Sequence, residues 1–347
     1  ILSKAEGYKV VYHGVKDLRV EPFGEIPKVK DGEMLIEVEA CAICGSDVKT
    51  FKLGNPRMNA PATIGHEFCG TIIDLGKGVD KYSIGERVTM ATTMGCGECI
   101  YCKQGKTNIC KNITAMGFHC DGAMAAYTVV PAKAVSMGNV VKVGDLDAQI
   151  AALSEPMSCA INGLGRLPMD KIESALIVGI GALGMMHAIA LSEYGVKNIV
   201  CVSNPGVKRD IMEDIGYKVI GRDELDKEYL ELSGGDGFDL VIITAPSNAV
   251  QANAVQYAKK GGYVSYFASL PVGDEMLNMN SRTIHYNELI LYGTSDSTAA
   301  HVKEAGQILR KRKDTFEKII TTMPIQDFQT GLDGILDKSL AKVVLIP

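Results

Sequence analysis

The 347-residue chain has no concentrated basic run; 36 Lys and Arg stand against 41 Asp and Glu, for a net charge of −5. Phosphate backbones demand a dense basic face, so a nucleic-acid binder is disfavoured. Low-complexity tracts and internal repeats are absent. At 22% charged and 46% hydrophobic residues, with mean hydropathy +0.09, the composition lacks the polar, charge-rich signature of disorder. Ten cysteines are too few for a disulfide scaffold in a chain this long. Ile1 to Val20 carries no basic start followed by an apolar stretch and a small-residue cleavage site, so a cytoplasmic, reducing compartment is expected. Only Ala175 to Leu191 passes for a membrane span, with no Asp, Glu, Lys or Arg and His187 as its one strongly polar side chain. Gly179, Gly181 and Gly184 interrupt it where a β-branched run meets a helical one, which fits a strand, a turn and a buried helix better.

What is present reads as two domains, since the length exceeds what one hydrophobic core usually serves. The first 160 or so residues are punctuated short strands, among them Met34 to Val38, Phe68 to Asp74, Arg87 to Met90 and Ala125 to Val130. From Ser174 strands and helices alternate: strands at Ala175 to Val178, Asn198 to Ser203, Lys218 to Ile220, Phe238 to Ala245, Tyr263 to Ala268 and Leu289 to Tyr292. Helices are predicted to about Tyr194, over Val207 to Ile215 and over Asn248 to Lys259. Such alternation predicts an α/β fold with a parallel sheet covered on both faces. A helix (Thr298 to Lys311) and a terminal strand (Lys342 to Ile346) follow.

Val178, Gly179, Gly181 and Gly184 spell V-G-x-G-x-x-G between a strand and a helix, with Ala182 and Leu183 inside the turn. Glycines there allow a tight turn, backbone approach to a pyrophosphate and close helix packing, with the phosphate at the helix N-terminus. A dinucleotide site is therefore predicted. An acidic residue about 20 positions on usually grips the NAD(H) ribose. Here the second strand ends at Ser203, followed by Asn204 and Pro205, with Lys208 and Arg209 just beyond. No carboxylate repels a 2′-phosphate, and two cations stand near, so NADP(H) is favoured over NAD(H).

Cys96, Cys99, Cys102 and Cys110 form C-x2-C-x2-C-x7-C among glycines. Four thiolates on one lobe close a tetrahedral zinc site with no open position, which suits structure rather than catalysis. Dispersed candidates for a second, catalytic zinc are Cys44 in C-A-I-C-G-S-D, His66 and Glu67 in G-H-E-F-C-G, and Glu155 in L-S-E-P. Three protein ligands plus water are what such a site needs. The segment from Val48 to Ile64 holds Lys49, Lys52 and Arg57 with no Asp or Glu, which would draw an anionic substrate.

G-H-E, the four-cysteine lobe and G-I-G-A-L-G, in that order, resemble the zinc-containing medium-chain alcohol dehydrogenase family over essentially the whole chain. C-x-x-C-G-S-D and S-E-P are similar to its sorbitol, threonine and polyol-phosphate branch. The resemblance implies a GroES-like, β-rich catalytic domain from residues 1–155 and 297–347 and an inserted Rossmann doubly wound coenzyme domain at 156–296. It implies Cys44 and His66 as zinc ligands, with Glu67 or Glu155 completing the shell directly or through water, and Ser46 as the relay hydroxyl. Two departures stand out: the family's relay histidine falls at Lys49, and its acidic NAD residue at Ser203. Two zinc ions per chain, a homodimer or homotetramer and a small-molecule substrate are implied, with no nucleic-acid or membrane partner. The implied reaction is hydride transfer between NADP(H) or NAD(H) and a secondary alcohol or ketone, most readily a sugar alcohol or its phosphate. Threonine-type or simple secondary-alcohol oxidation is the alternative. Outside enzymes, a zinc-ribbon interaction protein leaves G-H-E and the dinucleotide turn without a purpose. A retired coenzyme-binding protein leaves Cys44, His66 and Glu155 unexplained.

Overall fold

The computed structural model describes residues 5–347. The chain separates into two compact units, residues 1–158 with 296–347, and residues 159–295.

In the first unit the main sheet has seven strands. Six lie in the order Val140–Lys142, Arg87–Met90, Glu67–Leu75, Met34–Ala42, Lys342–Ile346, Ile320–Pro324, and Tyr127–Val130 pairs with Met34–Ala42. Alternate residues face one apolar core, as period-two strands require: Met34 and Ile36, Phe68 and Ile72, Val88 and Met90, Val343 and Leu345. Met34–Ala42 runs four residues past its predicted end at Val38, because two strands hold it there. Cys41 pairs with Phe68 and Ala42 with Glu67 on one side, while Leu345 pairs with Cys41 and Val344 with Ala42 on the other. The Ile43 N–H adds a 3.0 Å bond to the Val343 carbonyl. This register carries Cys44, His66, Glu67 and Lys342, far apart in sequence, to one end of the sheet. A smaller sheet orders Asp17–Gly24, Ala5–Gly14 and Ala62–Thr63.

The second unit is a six-stranded parallel sheet. Its strands are β1 (Ser174–Val178), β2 (Asn198–Val202), β3 (Lys218–Ile220), β4 (Phe238–Ile243), β5 (Ala258–Tyr266) and β6 (Ile290–Tyr292), in the spatial order 3-2-1-4-5-6. Every residue of β1 and β4 is buried, as expected of strands covered on both faces. Helices α1 (Ala182–Glu193), α2 (Val207–Asp214) and α3 (Arg222–Ser233) follow β1, β2 and β3 in turn. The order reverses between β1 and β4, where doubly wound sheets place ligands at the carboxyl ends of their strands.

Two sequence readings need correcting here. The helix expected over Asn248 to Lys259 stops at Asn253, a 3-10 turn covers Ala254–Tyr257, and β5 starts at Ala258 rather than Tyr263. Gly261 and Gly262 inside β5 masked it; Gly261 sits at φ +72, and the pairing with β4 slips between Phe238 and Leu240. The charged helix α3, with Leu225 its one fully buried side chain, had no apolar stripe to announce it. Ala175 to Leu191 is β1 plus most of α1, and no helix among the described residues is long and apolar enough to cross a membrane.

His187 lies wholly buried in α1, its Nδ1–H donating to the Leu183 carbonyl at 2.7 Å and its ring edge-on to Phe267 at 4.5 Å. Burial pushes its pKa down to about 4. The folded value lies below the unfolded value near 6.5, so this contribution to stability is complete above pH ~6.5 and is lost as pH falls toward 4. The loss totals roughly 3 kcal/mol. Urea unfolding of His187→Leu should show a flatter acid limb than wild type over that window; identical limbs would contradict the assignment.

Candidate metal centres and coenzyme site

The four-cysteine lobe is stapled at its base by the short antiparallel pair Thr93–Met94 and Thr114–Ala115. Gly97 and Gly105 take φ of +80 and +76, the left-handed turns that fold the lobe on itself. The four sulfur atoms lie within 4.8 Å of one another and could hold a metal ion. Backbone N–H groups aim at them: Cys96 at Cys110 Sγ (3.1 Å), Cys99 at Cys96 Sγ (3.4 Å) and Asn112 at Cys110 Sγ (3.3 Å). Such donors favour thiolate. N–H groups of Cys102 and Lys111 pull the Cys99 thiol down to about 6, whereas burial pushes Cys102 up to about 11. The donor set fits a closed, four-thiolate zinc site.

The second cluster is built on the strand ends described above. Cys44 caps the helix Gly45–Leu53, its Sγ accepting from the Ser46 N–H at 3.5 Å, and the Asp47 carboxylate reaches back to the Cys44 N–H at 2.9 Å. Cys44 Sγ, a His66 ring nitrogen and a Glu67 carboxylate oxygen lie within 4.8 Å of one another. His66 Nε2 is 3.4 Å from Ser46 Oγ, and its Nδ1, buried without a hydrogen-bond partner, is 4.0 Å from Asp47 Oδ1. That arrangement sets Nε2 beside the Ser46 hydroxyl and Nδ1 on the side of the Asp47 carboxylate, where metal-binding histidines commonly keep an outer carboxylate. Burial opposes charge on His66, yet Cys44, Asp47 and Glu155 raise its pKa well above the ordinary value. Burial, then the Glu67 charge, pushes the Cys44 thiol up. A cation at the centre of these donors would relieve both.

Glu155, in the first turn of Ser154–Leu164, is buried and close enough for its charge to act on His66 and Lys342, but lies outside the 4.8 Å set. Glu67 lies inside the set, and its carboxylate is also bonded to the ammonium of Lys342, which donates to the Ile43 carbonyl at 2.9 Å as well. Lys342 and Asp47 are the two neighbours that sequence reasoning missed. Asp47 carried a signal, the carboxylate three residues after a helix cap; Lys342 carried none. Cys41, the other half of C-x-x-C, is wholly buried in the sheet with its thiol pushed up by burial, unlike a redox pair.

At the coenzyme turn Gly179 takes φ +100, and a Cβ on Gly184 would strike the Gly179 carbonyl and lie 3.0 Å from Thr244 Oγ1. A Cβ on Gly181, the cap of α1, would meet nothing within 4 Å. Two glycines are thus needed for packing while the third faces open space, the cradle a pyrophosphate would fill. Ala182 and Leu183 form the first turn of α1. Ser203 and Asn204 follow β2, with Ser203 Oγ donating to the Asn204 carbonyl at 3.1 Å. Arg209, in the first turn of α2, is braced by Glu213 at 2.8 Å and by the Val219 carbonyl at 3.3 Å.

With both donor sets and the glycine turn in place, comparison with known proteins defines the class. Residues 30–145 match the alcohol dehydrogenase GroES-like domain family and residues 182–311 the zinc-binding dehydrogenase family. An uncharacterised zinc-type alcohol dehydrogenase-like protein of Haemophilus influenzae is 30% identical over 300 residues, covering 85% of each chain. The sorbitol dehydrogenase of Halalkalibacterium halodurans is 28% identical over 96% of this chain and 97% of its own. A zinc-binding dehydrogenase structure from Sinorhizobium meliloti 1021, bound to NADP, superposes with a TM-score of 0.87 at 25% identity, covering 99% of this chain and 100% of that one. The chain belongs to the zinc-containing medium-chain alcohol dehydrogenase family, an oxidoreductase with a GroES-like and a Rossmann-type domain.

Proposed function

We propose that the protein transfers hydride between NADP(H), in preference to NAD(H), and a secondary alcohol of the polyol or polyol-phosphate kind, with ketose reduction as the reverse. The observation that carries this reading is the gathering of Cys44, His66 and Glu67 within 4.8 Å beside the Ser46 hydroxyl. In it Cys44 and His66, with Glu67 or Glu155, hold a catalytic zinc, and the four-cysteine lobe holds a structural one. A bound zinc would polarise the substrate oxygen, and the nicotinamide would accept or return the hydride. The chain's own part is positional and protonic. Asp47 and the helix cap fix Cys44 and orient His66, and Ser46 Oγ takes the hydroxyl proton and passes it outward. With Lys49 where a relay histidine would stand, that path continues through coenzyme ribose, water or a glutamate rather than imidazole.

The sorbitol dehydrogenase relative supports a polyhydric substrate. The missing carboxylate at Ser203, with Lys208 and Arg209 next on α2, supports NADP(H), as does the coenzyme bound to the Sinorhizobium relative. Because Glu213 already engages Arg209, the 2′-phosphate reading leans mainly on the absence of a carboxylate at Ser203. Assays of polyols, polyol phosphates, threonine and simple secondary alcohols with both coenzymes test the whole proposal. Turnover of none of them would end it, and turnover of threonine alone would move the substrate class.

For the coenzyme, Ser203→Asp is expected to move the ratio of kcat/KM for NADPH over NADH by on the order of a hundredfold toward NADH, since like-charge juxtaposition costs several kcal/mol. A wild type that already prefers NADH would refute the reading before the variant is made.

A further inference from the structure

Arg57 is exposed, yet its guanidinium is held. Its carbon sits 4.5 Å from the Phe118 ring centre, and Phe118 packs in turn against the His66 imidazole at 5.0 Å between ring centres. The two contacts in series keep the guanidinium within about 9.5 Å of a proposed metal ligand. Its backbone N–H and Nε both donate to Asn55 Oδ1, at 3.0 and 3.5 Å, and Asn55 Nδ2 donates to Thr50 Oγ1 at 3.3 Å. Thr50 is buried on the helix that carries Cys44 at its cap and Ser46 in its first turn. The loop is therefore tied to the metal helix through Asn55. Among the described residues the partners of Arg57 are Asn55 and Phe118, and no carboxylate engages it. A cation stacked on an aromatic ring, braced at one edge and without a counter-charge is prepared for an incoming oxyanion, because a planar fork accepts a carboxylate or phosphate without reorganising. The ceiling of about 9.5 Å keeps the guanidinium within the scale of a five- or six-carbon chain whose reacting hydroxyl lies at the Cys44–His66 cluster.

We propose that Arg57 recognises a terminal oxyanion, phosphate or carboxylate, at the end of the substrate remote from the reacting carbinol. This rests on the polyol reading above and deepens it. Lys49 and Lys52, with no acid between residues 48 and 64, raise the local potential, but Arg57 makes the contact. Zinc-loaded wild type, Arg57→Met and Arg57→Lys are to be assayed, and titrated calorimetrically, with sorbitol, sorbitol 6-phosphate and gluconate. Arg57→Met keeps apolar cover on Phe118 and removes the charge. It should weaken binding of one or both anions by about 10- to 100-fold and raise KM in proportion, with kcat and all constants for sorbitol within about twofold. Arg57→Lys should fall between. The anion that loses more identifies the natural terminal group. An equal loss on sorbitol would make Arg57 a mere cover for Phe118 and overturn the proposal, as would unchanged binding of both anions. Failure of the polyol reading is seen separately: wild type then oxidises none of the three, while calorimetry still reports whether anion binding depends on Arg57.

Discussion

Dialysis against a mild chelator is expected to remove one zinc per chain, cut turnover by on the order of 10³-fold or more, and leave the fold intact. The two donor sets differ in the ways that govern lability. In the lobe, four sulfurs would close the coordination sphere of a bound ion and backbone N–H groups from Cys96, Cys99 and Asn112 support them, so metal release there would mean opening the lobe. The Cys44 set offers one sulfur, one imidazole and a carboxylate already committed to Lys342, and a catalytic site must keep a position for exchangeable ligand. A chelator reaches the open position first. Removing a Lewis acid that supplies several kcal/mol of transition-state stabilisation accounts for the size of the loss. Metal content, circular dichroism and turnover followed together decide the matter, and restored activity on adding one equivalent of zinc completes it. Should loss of the first zinc unfold the chain, the assignment of the two sites is wrong. Cys99→Ser provides the opposite arm, lowering thermal stability first and activity only as a consequence.

How much of this could be read without coordinates depended on sequence distance. The lobe was legible because Cys96, Cys99, Cys102 and Cys110 lie within fifteen consecutive residues, and the short spacings leave little room for another geometry. The glycine turn was legible for the same reason: the strand, the turn and the helix cap are contiguous. Cys44, His66 and Glu67 were recognisable as candidates through resemblance, but no spacing distinguished Glu67 from Glu155. Strand register bears on Glu67 alone, since Ala42 pairs with it and brings it to the same end of the sheet as Cys44. Arg57 stood out as a charge in an acid-free loop, whereas its seat on Phe118, 61 residues further along, is a tertiary fact. Where propensity misled, as at β5, glycines inside a strand looked like a boundary although pairing with β4 and β6 overrode them.

Lys342 is the extreme case, 275 residues from Glu67 in sequence and joined to it by the pairing of the last strand with Met34–Ala42. Both side chains are almost fully inaccessible, at 3% and 1%. Burial works against the Lys342 charge, yet Glu67, Cys44 and Glu155 raise its pKa above the ordinary value. The folded value exceeds the unfolded one, so its contribution to stability is fully present below the unfolded value near 10.4 and lost only as pH climbs through the folded one. At neutral pH Lys342 therefore carries its charge. Lys342→Met is expected to destabilise the chain by ~3–5 kcal/mol, because it strands a buried carboxylate and deprives the Ile43 carbonyl of its donor. The double variant Lys342→Met with Glu67→Gln should recover much of that loss, since a neutral amide no longer needs a counter-charge and a buried ion pair adds little over a neutral pair of similar shape. Urea denaturation of the four proteins at pH 7, each first dialysed against the mild chelator so that only the Cys44 set is emptied, measures the coupling directly. Additive losses in the double variant would mean that Lys342 acts as packing and that the ion pair does not organise this end of the sheet.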